Sequence, residues 1–308
     1  MRTSTRLATI SLVAAAALPA LPAGASSHTA PRPTTVTIYR PATYSVVLAD
    51  QLLAQLGYLP VRFAPRPAPR PVRPPTTTTT TSTTSTTTTT VPTNTTTSLA
   101  PAHRATSARR VLVRQLHPVP GRYVWRFPDL PTAFRSQWRL GTLNVILQSA
   151  LMRFQSDHGL ATTGAMDTTT WQALQHARLS HAVNRQPYDM VYVSENLPET
   201  LHLYVNGHLV FTTLVNTGIS VSQTELGTHP VYLRFLTQTM AGTNPNGTHY
   251  SDPGIPWVSY FYGGDALHGF LRASYGWPQS LGCVEMPFAQ AHVLWPYTPI
   301  GTPVTVVS

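Results

Sequence analysis

The sequence predicts a multi-domain protein in which a small helical module precedes a mainly-β domain. Three observations carry this prediction. The chain has 308 residues, a length for two domains rather than one. Leu143, Ile146, Leu147, Ala150, Leu151 and Phe154 recur at helical spacing and form one apolar stripe. From Asp189 onward the period changes to two, with Leu201, Leu203 and Val205 alternating with His202 and Tyr204.

The elements follow in chain order. Arg2 and Arg6 form a positive start, residues 7–21 an apolar stretch interrupted by Pro19, and Ala23-Gly24-Ala25 a small-x-small cleavage site. Residues 1–25 therefore read as a secretory signal, too short for an ordinary transmembrane helix. No cysteine follows the apolar stretch, which argues against a bacterial lipid anchor, and no later apolar stretch is long enough to span a bilayer. An extracytoplasmic protein without a transmembrane anchor is expected. Residues 26–63 form an arm in which Leu52, Leu53 and Leu56 precede Gly57, a helix-stop residue. Residues 64–110 are Pro-rich and then almost pure Thr over 76–98, an extended stalk suited to O-glycosylation. Residues 111–181 form the helical module: Gly159 ends its apolar helix, and Asp167 is a good N-cap for a second helix that buries Trp171 and Leu174. Residues 186–308 form the β domain. Asn206-Gly207 between two alternating runs is its strongest hairpin signal, and 231–235 and Pro303–Val307 read as further strands.

The net charge of +10 invites a nucleic-acid reading, and its distribution removes the need for one. Residues 1–114 hold 12 Arg against Asp50 alone, whereas residues 115–308 hold nine Arg against ten acids. The basicity belongs to the arm and stalk, as a tether to an anionic polymer or as a self-repelling linker. The single cysteine excludes an intramolecular disulfide and a Cys-rich zinc site. The histidines show no His-Glu-x-x-His pattern, and no glycine-rich phosphate motif lies between a strand and a helix. Neither a metal nor a cofactor is expected.

The stretch Ala150-Leu-Met-Arg-Phe-Gln-Ser-Asp-His-Gly-Leu160, followed by Thr163-Gly-Ala-Met-Asp167 and Trp171-Gln-Ala-Leu174, resembles the small three-helix peptidoglycan-binding domain. A Phe-Gln pair, a Gly-Leu turn, a Gly-x-x-Asp link and a Trp-x-x-Leu helix stand in that family's order. Leu56-Gly57-Tyr58 matches the Leu-Gly-Tyr that often closes the family's preceding helix, but it lies on the far side of the stalk. Either the stalk is an insertion within one domain, which is the favoured reading, or the first helix belongs to a separate partial copy.

The densest chemical signal is Ala266-Leu-His-Gly-Phe270 followed by Ser280-Leu-Gly-Cys-Val-Glu-Met286. A thiol attacks as thiolate, and an imidazole within reach makes it one. Cys283 is the candidate nucleophile and His268 its base. Gly282 lets the backbone approach closely, so that N–H groups around Cys283 point at a developing oxyanion. Ser280 either supports the turn or hydrogen-bonds the substrate. Asp265 either orients the imidazole or serves the turn. A small buried cysteine beside an unrelated histidine is the plain alternative, and export weighs against it, because a free thiol outside the cell is an oxidation liability.

These residues resemble the L,D-transpeptidase (YkuD-type) catalytic domain over about residues 188–308. The resemblance implies a mainly-β, sandwich- or barrel-like domain and a cysteine acyltransferase acting on peptidoglycan stem peptides and glycan. Cys283 would attack the carbonyl at the L-centre of the diamino acid of a donor tetrapeptide. D-Ala would leave, and a neighbouring amine would resolve the thioester into a 3→3 cross-link. Gly269 matches the position whose carbonyl orients the imidazole, and the Gly282 and Cys283 N–H groups would form the oxyanion site. Covalent inhibition by carbapenems is implied as well. The sequence departs from the family at Leu281, where a histidine usually stands. Trp257, Tyr260, Phe261, Tyr262 and Trp277 lie near the motif and are either core or groove wall; Tyr262 and Trp277 are the candidate substrate-binding residues. The segment 241–249, rich in loop formers, reads as a lid, a substrate loop or a plain connection. Two other functions remain open: a hydrolase or L,D-carboxypeptidase using the same acyl-enzyme, and a non-catalytic wall-binding protein in which Leu281 marks a decayed site.

Overall fold

In a computed structural model, residues 44–67 and 116–308 are described. The signal sequence, the arm before residue 44 and most of the stalk lie outside the described residues.

Helix α1 (Val46–Gln55) starts at Ser45, whose hydroxyl accepts the Leu48 N–H, and ends before Gly57 at φ +86°. Strand β1 (Val61–Pro65) pairs antiparallel with β2 (Gly121–Trp125), so the first residues of the expected stalk belong to a strand. A short helix α2 (Thr132–Arg135) buries Phe134. Helix α3 (Val145–Asp157) is capped by Asn144, which accepts the Ile146 and Leu147 N–H groups at 3.1 Å each. Leu143, counted in the apolar stripe, precedes this cap and is exposed. Helix α4 (Thr168–Leu179) is capped by Asp167, which accepts the Thr170 N–H at 2.7 Å.

Leu52, Leu53 and Leu56 share one apolar core with Leu147, Leu151 and Phe154 of α3 and Trp171 and Leu174 of α4. Tyr58 packs edge-on against Phe154 at 5.3 Å. Gln155 is fully buried among these helices, and its amide joins Gly164, Ala165 and Thr170, which locks the α3–α4 connection.

The β domain begins with β3 (Asp189–Ser194), β4 (Thr200–Val205) and β5 (His208–Leu214). Asn206 and Gly207 both take positive φ, 50° and 82°, as a tight hairpin of primed type requires. Strands β6 (Gly227–Pro230), β7 (Leu233–Thr243), β8 (His249–Tyr262), β9 (Asp265–Gly269) and β10 (Val284–Met286) follow, then helix α5 (Phe288–Leu294) and β11 (Pro303–Val307). They form a five-stranded sheet in the order β5-β4-β3-β11-β6 and a four-stranded sheet in the order β10-β9-β8-β7. The strand expected over 231–235 is broken, because the chain changes sheets there. The Val231 N–H bonds Thr302 in one sheet, and the next N–H, of Tyr232, bonds Tyr260 in the other. The segment 241–249 closes the long β7–β8 hairpin, with residues 244–248 as its turn, and Ala241, Asn244, Pro245 and Asn246 line the cavity that also holds Cys283.

Alternation decides what each face covers. Val191 and Val193 of β3 point between the sheets with Leu201, Leu203, Leu267, Val284, Met286, Val304 and Val306. Met190 and Tyr192 point the other way, into the helical core. Helix α3 lies so close to the β domain that a Cβ on Gly301 would sit 2.5 Å from the Ser149 carbonyl oxygen and the Arg153 nitrogen.

Two buried carboxyls accompany this packing. Asp50 accepts the Gly141 N–H at 2.8 Å through one oxygen, while its other oxygen has no partner; Asp189 also has an unpartnered oxygen. Burial pushes each up to about 7, against Gly141 for Asp50 and against Arg153 for Asp189. In both cases the folded state holds a proton that the unfolded chain releases near pH 4. Stability is therefore greatest below that pH and falls as pH rises towards 7, by at most about 4 kcal/mol per group. Melting temperatures measured from pH 5 to pH 8 should fall, and Asp50→Asn with Asp189→Asn should flatten the trend. A slope unchanged in the double variant would place the titration elsewhere.

Candidate active site

The same alternation builds the site. Strand β10 runs parallel to β9, with Val284 beside Leu267, Glu285 beside His268 and Met286 beside Gly269. Leu267, Val284 and Met286 enter the core between the sheets, which turns His268, Cys283 and Glu285 to the opposite face. All three line one cavity of about 1000 Å³. The sequence expectation that Cys283 and His268 come together thus rests on two adjacent parallel strands.

His268 is buried, and its Nδ1 lies 3.0 Å from the Gly269 carbonyl oxygen. A carbonyl only accepts, so Nδ1 carries the hydrogen and Nε2 holds the free lone pair. Burial pushes the imidazole below its ordinary range, opposed by the Gly269 bond and Glu285. The ring is therefore neutral and basic at Nε2. Asp265 does not orient it. One Asp265 oxygen accepts the Glu225 N–H at 2.9 Å, and the other lies where a side chain on Gly282 would start, 2.3 Å from an ideal Cβ.

Cys283 is half-buried, and its thiol donates weakly to the Gly264 carbonyl at 3.7 Å. Burial pushes the thiol up to about 12; the Ala266 N–H opposes this, and Asp265 and Glu285 reinforce it. The turn before it is closed by Ser280, whose hydroxyl donates to the Cys283 carbonyl at 2.5 Å and accepts the Gly282 N–H at 3.2 Å. Ser280 thus supports the turn. The Gly282 N–H is already engaged there, so it does not stand free for an oxyanion. Gly282 itself holds φ +115°, a conformation that only glycine adopts without strain.

Residues 190–306 match the family model of the L,D-transpeptidase catalytic domain. The chain carries an L,D-transpeptidase catalytic domain. Residues 139–174 match the model of a peptidoglycan binding domain, placing α3 and the first part of α4 in that family. No curated protein matches the chain. Among solved structures, an L,D-transpeptidase from Mycobacterium smegmatis is similar at 17% identity and TM-score 0.36, with 40% of this chain and 59% of that chain covered. The catalytic domain of the E. faecium L,D-transpeptidase is 23% identical at TM-score 0.36, with 40% and 100% covered. L,D-transpeptidase 3 from Mycobacterium tuberculosis is 17% identical at TM-score 0.36, with 40% and 62% covered. The chain thus spans 59% and 62% of the two mycobacterial structures.

Tyr250 and Phe270 of the L,D-transpeptidase domain enter the cavity without a prior sequence signal, whereas Tyr260 is one of the aromatics read as core or groove wall. Tyr250, Tyr260 and Phe270 supply its aromatic wall, whereas Tyr262 and Trp277 do not line it. A bulge explains the difference for Tyr262. Tyr260 pairs with Ala266 but Tyr262 pairs with Asp265, so one extra residue turns Tyr262 away. Its ring packs on His229 at 4.6 Å instead. Leu281, the departure from the family motif, lines the cavity beside Cys283. Arg272 pairs with Glu285 through two bonds of 2.7 and 2.8 Å and lies 4.6 Å over the Phe270 ring. That pair neutralises the carboxylate next to His268. Among the described residues, no group of His, Cys, Asp and Glu is placed to hold a metal ion.

Proposed function

We propose that this protein is an exported cysteine acyltransferase that cross-links peptidoglycan stem peptides. The observation that carries the reading is that Cys283 and a buried, neutral His268, whose free nitrogen is fixed by the Gly269 carbonyl, line one large cavity. The high affinity of the resting thiol for its proton means that sulfur attacks only as the proton moves to Nε2 of His268. The thiolate then forms a bond to the carbonyl carbon at the L-centre of the donor's diamino acid. His268 returns the proton to the leaving D-Ala nitrogen, and a thioester remains. An acceptor amine, deprotonated by His268, attacks the thioester and releases the thiol, leaving a 3→3 link.

The helical domain would hold the enzyme on the wall, and residues 1–25 would direct export. Among the described residues, no helix is long and apolar enough to cross a membrane. Reaction with a disaccharide-tetrapeptide donor is expected to give cross-linked dimer and free D-Ala, read by mass spectrometry of the products. Tripeptide alone would assign a hydrolase that uses the same thioester. No product at all from reduced, folded protein would leave only wall binding.

A further inference from the structure

We propose that Glu199 is a positioning residue for the cysteine turn; the inference rests on the reading of Cys283 as nucleophile. Glu199 is fully buried and belongs to neither the cavity wall nor the catalytic pair. Its carboxylate accepts two bonds from one residue, the Thr217 N–H and the Thr217 hydroxyl, each at 2.7 Å. The Thr217 carbonyl in turn accepts the Gln279 and Ser280 N–H groups at 2.9 and 3.0 Å. Ser280 then closes on the Cys283 carbonyl and the Gly282 N–H. A continuous chain of bonds therefore runs from the Glu199 carboxylate through Thr217 and Ser280 to the residue bearing the thiol.

The backbone around Glu199 tightens the same assembly. The Glu199 N–H donates to Gly276 at 2.8 Å, the Val215 N–H donates to Glu199, and the Gly276 N–H donates to Val215 at 2.8 Å and to the Asn216 side chain at 3.1 Å. Asn216 and Glu285 exchange both backbone bonds at 2.9 Å. The segment 276–285, which has almost no regular structure before β10, is thus held at both ends and in the middle by the 215–217 segment. A buried carboxylate is expensive to place unless donors satisfy it, as the Thr217 N–H and hydroxyl do here. Here it fixes the rotation of Thr217, and with it the point from which the turn is suspended.

Misplacing a nucleophile by about 1 Å lowers the rate about 10²-fold. The test is the rate of covalent acylation of the full-length protein by imipenem, followed by intact mass, with saturation kinetics separating initial binding from bond formation. Glu199→Ala is expected to slow bond formation about tenfold or more while changing initial binding less than about threefold. Glu199→Gln is expected to recover most of the rate, because its oxygen accepts the Thr217 N–H and its amide donates to the Thr217 hydroxyl. If Glu199→Ala does not fold, Thr217→Val replaces it, since this removes one of the two bonds and keeps the backbone one; a slower bond-forming step is again expected. A folded Glu199→Ala or Thr217→Val protein that acylates at the wild-type rate would overturn the proposal, as would Glu199→Gln being as slow as Glu199→Ala. Failure of the wild-type protein to acylate would instead sink the reading of Cys283.

Discussion

Replacing Cys283 by alanine is expected to abolish covalent modification by a carbapenem and all release of D-Ala from a tetrapeptide donor. Cys283 is the only cysteine in the chain, so no second thiol can mask the loss. Its half-buried side chain makes one weak bond, to Gly264, and its removal takes away a single sulfur at the edge of a small apolar cluster. The variant should therefore melt within a few degrees of the parent, as expected for a change of roughly 1 kcal/mol in a site of this kind. The measurement is intact mass after carbapenem treatment, beside a melting curve. A persistent adduct in Cys283→Ala would move the nucleophile to another side chain and remove the acyl-cysteine chemistry altogether.

The second large effect is expected at His268. Converting it to alanine removes the proton acceptor for a thiol pushed up to about 12, and bond formation should fall by about 10²–10⁴. The pH profile supplies the sharper check. Burial lowers the imidazole, so the base is in its working form above a pH that lies under the ordinary histidine range. The acidic limb of the acylation profile should accordingly lie below about pH 6.5 and vanish in His268→Ala. An unchanged limb in that variant would assign the titration to a different group and leave His268 a packing residue.

Much of the local structure was legible in the sequence, and the reason is that local signals act over a few residues. Asp167 as a cap, Gly57 and Gly159 as stops, and Asn206-Gly207 as a hairpin each concern the backbone within one turn. The motif singles out Cys283 and His268 together, and the alternation around them explains why both face one cavity. What escaped depends on register and on distant partners. A one-residue bulge between Tyr260 and Tyr262 decided which aromatic ring walls the cavity, and no sequence pattern announces it. Glu285 stands two positions after Cys283, and no local pattern points to its partner Arg272, thirteen positions earlier. Glu199 and Thr217 are ordinary residues at a strand start and in a loop, and their meaning comes from a bond across the fold. The break at 231–232 follows the same rule, because only the two sheets together show where the chain must cross.

The β1–β2 pairing has a consequence for the long Thr-rich segment. Pro65 lies opposite Gly121, and the Arg66 N–H donates to the Pro120 carbonyl at 2.8 Å. The chain therefore departs and returns at one doorway, and the intervening residues do not set the separation between any two folded parts. For any flexible connection held at such a doorway, closure costs entropy only logarithmically, about 0.6 kcal/mol for each doubling of length. Because both ends are fixed by one strand pair, the positions of the helices and the cysteine turn are set by β1 and β2 and not by the number of residues between them.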